Sequence, residues 1–472
     1  MTFSRRSLMQ GSAALALAWP LRAPAQAATP APREVDVAVI GAGAAGIAAA
    51  RHVMAAGRSV LVLEAEAELG GRCRTDTATF GLPFDRGARW LYDPDGNPIV
   101  RHAREAGLTL APAPRGQKIR IGRRNARAGE AEEFLATLVR ANRALDAAAR
   151  GKTDVAAATA LPGDLGVWEA TARFVLGVLR TSKDLDEVSA VDRERMAQRM
   201  ASLVCREGVG ALLQKLGEQV PVVLATPARE VSWGGRRMAE VETPQGRVTA
   251  RAVIVTVSTA MLNADDGIRF VPDLPKRQRD AAARLSLGHL ERIAIELPGN
   301  PLGLAANDIV IERATTRATG LLLANVAATA LSTVDIGGGF ARELAAEGEA
   351  AMVAFAGEWL AGLFGSEIKA KIGRSAATRW SAAPYVRGAM AAAVPGGAAA
   401  RGILAEPMQN LFLAGEACHE TLGGTVAGAW ISGEQAAAAA LKAIGPAKPP
   451  PPAKRPAKRP AKRPAKRGRA PR

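Results

Sequence analysis

Residues 34–64 read E-V-D-V-A-V-I-G-A-G-A-A-G-I-A-A-A-R-H-V-M-A-A-G-R-S-V-L-V-L-E, and this stretch decides the fold. Residues 35–40 form a short β-rich apolar run, and residues 60–63 form a second one that closes on Glu64. Between them Gly41, Gly43 and Gly46 fall at G-x-G-x-x-G spacing, and Ala44 and Ala45 open an Ala-rich helical stretch. Gly41 permits a tight turn, Gly43 lets backbone N–H groups approach a pyrophosphate, and Gly46 lets helix and strand pack closely. The helix N-terminus favours the negative charge. Glu64 is placed to accept from a ribose hydroxyl, which predicts an adenosine cofactor without a 2′-phosphate.

At 472 residues the chain is long for one domain, and an apolar content of 48% is ample for a core. Residues 1–27 are set aside as a twin-arginine signal peptide: S-R-R-S-L-M at residues 4–9, an apolar core at 11–19, and A-Q-A at 25–27. An apolar run ended by Pro20 is too short for a bilayer, which needs about 20 residues. Export in the folded state to a bacterial periplasm is the expectation. The formal net charge of +17 belongs to the termini. Residues 447–472 hold 11 Lys and Arg and the leader holds three, leaving 48 basic against 45 acidic residues in the body. That balance argues against sequence-specific nucleic-acid binding. The A-K-R-P repeats of residues 446–472 predict an extended disordered tail. Such a tail suits an anionic surface (lipid headgroups, envelope polymers or nucleic acid) or serves only as a solubilising spacer. Cys73, Cys205 and Cys418 are widely spaced and four His have no metal-ligand spacing, so neither a disulfide framework nor a metal is expected.

Three further segments carry chemistry. After Glu64 and Ala65, Gly70-Gly71-Arg72 is a flexible turn ending in a guanidinium that can fork onto cofactor phosphates, or is a plain loop. Residues 84–90, F-D-R-G-A-R-W, make a second small-residue turn through Gly87, Ala88, Arg89 and Trp90. Near the far end, residues 411–414 read as a buried strand running into Gly415 and Glu416, and a helix of small residues starts at Thr425. The free N–H groups near Thr425 and Val426 suit stabilisation of charge that develops on reduction of a flavin.

The chain resembles the flavin-dependent amine oxidase family on these motifs: the G-x-G-x-x-G unit, the E-A-x-x-x-x-G-G-R segment at 64–72, the D-x-G-A-x-W turn at 85–90, and the C-terminal stretch at 410–440. The resemblance implies an α/β fold, a Rossmann-type FAD-binding domain with an inserted α+β substrate-binding domain. The expected boundaries are 34–100, 206–265 and 396–445 for the FAD domain, and 101–205 and 266–395 for the substrate domain. Within these, 130–150 and 167–179 read as helices and Trp168 and Phe174 as core. Strands are expected at 220–224, 229–233, 238–243, 253–257, 308–313 and 321–327, and a helix at 347–363.

The resemblance also places individual residues. It puts the backbone of Val231 against the adenine, a role compatible with a core strand residue. It puts Arg292 where the family commonly has a lysine bridged through water to the flavin; a guanidinium stays charged and is a poor base. Arg292 then holds a water, favours an anionic flavin, grips a substrate carboxylate, or is simply salt-bridged. Residues 379–390, with Trp380, resemble the stretch that passes the flavin ring. Ala389 and Met390 stand where monoamine oxidases carry a flavin-linked Cys and a cage Tyr, and Thr425 stands at the second cage position, so non-covalent FAD without an aromatic cage is expected. The implied reaction is oxidation of a substrate C–H, beside an amine nitrogen, with reoxidation by O2 or another acceptor. An amino-acid oxidase or desaturase, with Arg89 and Arg292 meeting a carboxylate, and a non-turnover flavoprotein tethered by its tail are the alternatives.

Overall fold

The computed structural model describes residues 34–92, 95–114, 116–196, 201–235 and 238–446. The leader and the tail lie outside the described residues. Strand β1 (Glu34–Ile40), helix α1 (Ala44–Ala55) and strand β2 (Val60–Leu63) form the expected unit, with β1 and β2 parallel and in register from Val37↔Val60 to Ile40↔Leu63. β1 is apolar on both faces because both are covered. Val37 and Val39 join a cluster with Ile47, Trp430 and Ala437, whereas Ala38 and Ile40 join Leu61, Val255 and Leu413 on the other side.

Six further segments complete this sheet around the unit. Val222–Val223 adds to β2, and the long strand Gly246–Val255 pairs parallel to β1 through its C-terminal half. On its other edge that strand takes Ala239–Thr243 antiparallel at its start and Leu411–Leu413 parallel at its end. Glu230–Ser232 and Arg269–Val271 extend the antiparallel wing. The C-terminal helix Val426–Ile444 lies against α1, and Gly433 allows the approach: a Cβ there would sit 2.1 Å from the Ala45 carbonyl oxygen. Pieces far apart in sequence therefore build one nucleotide-binding sheet, and its parallel strands all end at the same rim.

A second sheet of seven strands runs in the order Ser375–Ala377, Leu290–Glu296, Leu331–Gly337, Leu321–Leu323, Ile309–Glu312, Lys118–Ile121, Arg124–Asn125. Helices Gly338–Glu347 and Glu349–Phe364 cover one face through Ile293, Ile295 and Val334. Helix Ala128–Ala149 packs through Phe134 onto Trp168, with ring centroids 5.0 Å apart, and both Trp168 and Phe174 are core as expected.

Two expectations are corrected and one strand is new. Residues 167–179 are not one regular helix: the chain passes from a 3₁₀ turn at Gly166–Trp168 through α-helix at Glu169–Arg173 to a π-helical segment at Phe174–Val178. The strand expected at 321–327 stops at Leu323, because Asn325 and Ala327 take left-handed conformations at φ 46° and 52°. Strand Leu331–Gly337, in the middle of the second sheet, was not expected. All seven of its residues are buried: Val334 and Ile336 join the cluster under the covering helices, while Thr333 and Asp335 leave by the other face, where both accept from Arg89.

Candidate active site

One cavity of about 660 Å³ runs from the rim of the first sheet to the face of the second. Its near end is a cradle. Gly41 turns at φ 101°, and Gly46 seats α1 so closely that a Cβ would lie 1.8 Å from the Gly41 carbonyl oxygen. Gly43, the residue preceding α1, offers no side-chain cap, so the first N–H groups of the helix point to the cavity lined by Gly41, Gly43, Ala44 and Ala45. A Cβ on Gly43 would come no closer than 4.0 Å to the protein, which leaves its face open to a ligand.

Glu64 and Ala65 line the same end. Glu64 is buried, accepting from the Ala42 N–H at 2.6 Å and the Glu66 N–H at 2.9 Å. Burial raises its carboxyl above the ordinary value, while those two N–H groups act to lower it. Gly70, Gly71 and Arg72 lie opposite, tied to the cradle where the Gly70 N–H donates to the Ala42 carbonyl at 2.9 Å.

Glu416 joins the distant segments. Its Oε1 accepts from Arg72 Nη1 at 2.8 Å and the Ala391 N–H at 3.0 Å, and its Oε2 from the Gly424 N–H at 2.8 Å. Arg72 Nη1 also donates to the Ala389 carbonyl. Arg72 is therefore committed through Nη1 to the protein, and both Glu416 oxygens are used. Beyond them Gly415, Thr425 and Val426 wall the cavity. The Thr425 hydroxyl caps the last helix, accepting from the Gly428 N–H at 2.9 Å and donating to the Leu422 carbonyl at 2.7 Å, while the residue lines the cavity.

The far end is walled by Trp90, Tyr92, Leu179, Leu290, Ile309 and Leu321, together with Trp380 and Met390. Three charges sit here. Arg292 donates from Nε to Asp335 Oδ1 at 2.8 Å, from Nη2 to Asp335 Oδ2 at 3.2 Å, and from Nη1 to the carbonyls of Asp85 and Gly87 at 2.5 and 2.7 Å. Arg89 donates to Asp335 Oδ2 at 2.5 Å and to Thr333 Oγ1 at 2.9 Å, and its guanidinium lies 4.7 Å from the Trp90 ring centroid. Two cations thus share one carboxylate. Burial would raise the Asp335 pKa, but the two guanidiniums hold it below the ordinary aspartate value. Burial pushes Arg89 down to about 10. Arg292 is salt-bridged in this geometry, and the N–H groups of its Nε and Nη1 all go to protein acceptors.

Two expected cofactor residues do not reach the cavity. Gly46 works from behind, as a spacer, and Val231 is fully buried, paired with Val241 and Phe270 in the antiparallel wing. That segment contributes Pro227, Ala228 and Arg229 to the wall instead. Asp335 and Glu291 escaped the sequence reading; an acid inside an apolar run was the available signal. Burial pushes the thiols of Cys73, Cys205 and Cys418 up to about 12, so none is a ready nucleophile.

The cradle passes a direct test for a dinucleotide: at Gly415, which lines the cavity at φ 142°, a Cβ would meet nothing of the protein within 4 Å, so the space there is left to a ligand. Fold and cavity define an oxidoreductase of the dinucleotide-binding, two-domain kind. The sequence model of flavin containing amine oxidoreductases matches residues 44–441, and the chain belongs to that family, whose cofactor is FAD.

Among curated relatives, human lysine-specific histone demethylase 2 is 24% identical over 444 residues, covering 84% of this chain and 52% of that protein. Putrescine oxidase of Kocuria rosea is 29% identical over 303 residues, covering 54% of this chain and 63% of that one. The chain spans about half the length of the first of these. Among solved structures, cyclohexylamine oxidase from Brevibacterium oxydans IH-35A superposes with a TM-score of 0.72 at 21% identity, covering 86% of this chain and 98% of that one. Putrescine oxidase bound to putrescine gives 0.71 at 21% identity, covering 86% and 98%. These likenesses show the fold.

Proposed function

We propose that this enzyme oxidises a C–H bond beside an amine nitrogen, using non-covalently held FAD. The observation that carries the reading is the continuity of one cavity from the glycine cradle to a far end walled by Trp90, Leu290, Leu321 and Trp380 around the Arg89–Asp335–Arg292 cluster. FAD supplies the hydride acceptor and passes the electrons to O2 or another acceptor. Helix α1 offers N–H groups to the pyrophosphate and Glu64 offers its carboxylate to a ribose hydroxyl. Trp380 and Met390 exclude water beside the reacting bond, and the N–H groups at the start of the last helix favour negative charge there. Ala389 and Met390 offer no thiol, which supports the non-covalent reading.

A second reading, oxidation of an amine that also bears a carboxylate, is favoured by the Arg89–Asp335–Arg292 cluster, which carries one net positive charge and would repel a bare dication. Anaerobic mixing with a panel of amines and amino acids tests both. Bleaching of the flavin band near about 450 nm by amines alone supports the first, and by amino acids alone the second. No bleaching by any of them leaves a flavoprotein without turnover and sinks both. FAD released into solution by acid precipitation supports non-covalent binding; FAD in the pellet refutes it.

We read the leader as directing twin-arginine export to the periplasm and the tail as binding an anionic envelope surface there. Fractionation of cells expressing the full chain tests the first: FAD-loaded protein confined to the cytoplasm refutes export.

A further inference from the structure

Strand Leu290–Glu296 sets neighbouring side chains on opposite faces, so Arg292 and Glu291 leave it in different directions. Both nevertheless act on the same turn. Arg292 Nη1 takes the carbonyls of Asp85 and Gly87. The carbonyl between them, that of Arg86, accepts from the Trp380 indole Nε1 at 3.0 Å. Trp380 in turn is held from Glu291. That carboxylate, wholly buried, accepts from Thr378 Oγ1 at 2.7 Å and from the Trp380 N–H, the Ser381 N–H and Ser381 Oγ at 2.9 Å each. Thr378 Oγ1 also accepts from the Arg292 N–H at 2.8 Å, which locks residues 378–381 to the strand.

The turn so held is part of the cavity wall and has no slack. A Cβ on Gly87 would lie 1.9 Å from the Arg72 carbonyl oxygen and 3.2 Å from Trp380 Cζ2, and the Ala88 N–H donates to that same Arg72 carbonyl at 3.1 Å. Three successive carbonyls, 85 to 87, are thus fixed from one strand, one of them through an indole. A buried carboxylate is a costly group to enclose, and four convergent donors are what make it tolerable. It holds those donors in one arrangement, and with them the plane of the Trp380 ring.

We propose that Glu291 is a positioning residue of the oxidation site: through residues 378–381 it fixes Trp380 and, through Trp380, the residue 85–88 wall against which substrate and cofactor are aligned. The proposal rests on the reading of this cavity as the FAD and amine site. The holoenzyme carrying Glu291→Gln tests it, since the amide NH2 must face N–H donors that now meet one oxygen of the carboxylate. Misalignment of this order lowers kcat by about 10- to 100-fold while KM stays within about threefold. The visible circular dichroism of bound FAD changes with it.

Trp380→Phe, which keeps an aromatic ring but loses the indole N–H, shows the same pattern, and the double variant is no slower than the slower single. A double variant whose loss is the product of the two singles overturns the proposal, as does a Glu291→Gln enzyme with kcat within about twofold and an unchanged dichroism spectrum. If Glu291→Gln does not retain FAD, Ser381→Ala removes one of the four donors, and a kcat loss of about threefold at constant KM is expected; an unchanged kcat refutes the idea. Should no amine bleach the wild-type protein, the amine reading has failed, and the dichroism of bound FAD in the same variants still decides the role of Glu291.

Discussion

Asp335→Asn probes the charge cluster at the far end of the cavity with almost no change of shape. Asp335 is the one anion bound by both Arg89 and Arg292, and its side chain is 8% exposed, with Arg89 at 10% and Arg292 at 6%. Removing the anion leaves two buried cations sharing an amide that offers one acceptor oxygen and turns an NH2 towards a guanidinium. Breaking a buried pair in this way costs about 3–5 kcal/mol. The folded-state pKa of Asp335 lies below the ordinary 3.8, so its stabilisation is complete above that value. It is lost as pH falls through the folded value.

The stability gap between wild type and Asp335→Asn is therefore flat from neutral pH down to about 4 and closes in stronger acid. Urea titration of the holoenzyme, followed by tryptophan fluorescence across that range, reads both features. A gap below about 1 kcal/mol at neutral pH would refute the cluster as a stabilising unit. A gap that closes as pH rises, rather than as it falls, would refute the assigned direction of the Asp335 shift.

Arg292→Lys keeps the charge but cannot hold Asp335 and the Asp85 and Gly87 carbonyls together; a loss of about 1–3 kcal/mol and no gain in the rate of flavin reduction are expected, and faster reduction would show that position 292 acts in the chemistry. Gly46→Ala, with its Cβ 1.8 Å from a backbone oxygen, should yield little folded protein by size-exclusion chromatography. Gly43→Ala, with φ −77° and open space, should fold normally and lose about tenfold or more in FAD affinity by titration of the apoprotein; equal behaviour of the two variants would contradict the cradle geometry. Deleting residues 446–472 should abolish retention on anionic vesicles at low salt, and unchanged retention would leave the tail as a spacer.

The nucleotide half of the fold was legible because its constraints are local. A tight turn, a close helix and a closing acid each demand a residue type at a fixed offset, and Gly41, Gly43, Gly46 and Glu64 supply them within one βαβ unit. The same holds for Gly415, where open space faces the cavity. Val231 was misplaced because a strand residue of an antiparallel wing and a residue at its end look alike in sequence. The second sheet was harder. Its strand Leu331–Gly337 is buried on both faces, its period-2 pattern runs only from Thr333 to Ile336, and Asp335 within it looks like a break.

That acid also explains why Arg292 could not be resolved from sequence. A guanidinium in place of a lysine is compatible with a free cation at the flavin or with a structural clamp, and what separates the two is the partner. The partner stands 43 residues away on the adjacent strand, where the register sets Arg292 against Asp335. With Asp335 in place four of the five guanidinium N–H groups go to one carboxylate and two carbonyls, which ties Arg292 to the residue 85–88 wall. The departures at 292, 390 and 425 then belong together. Arg292 braces the residue 85–88 turn, Thr425 caps the last helix and Met390 lines the cavity, so on the proposed amine reading substrate alignment would fall to Trp380, Trp90 and the groups that fix them.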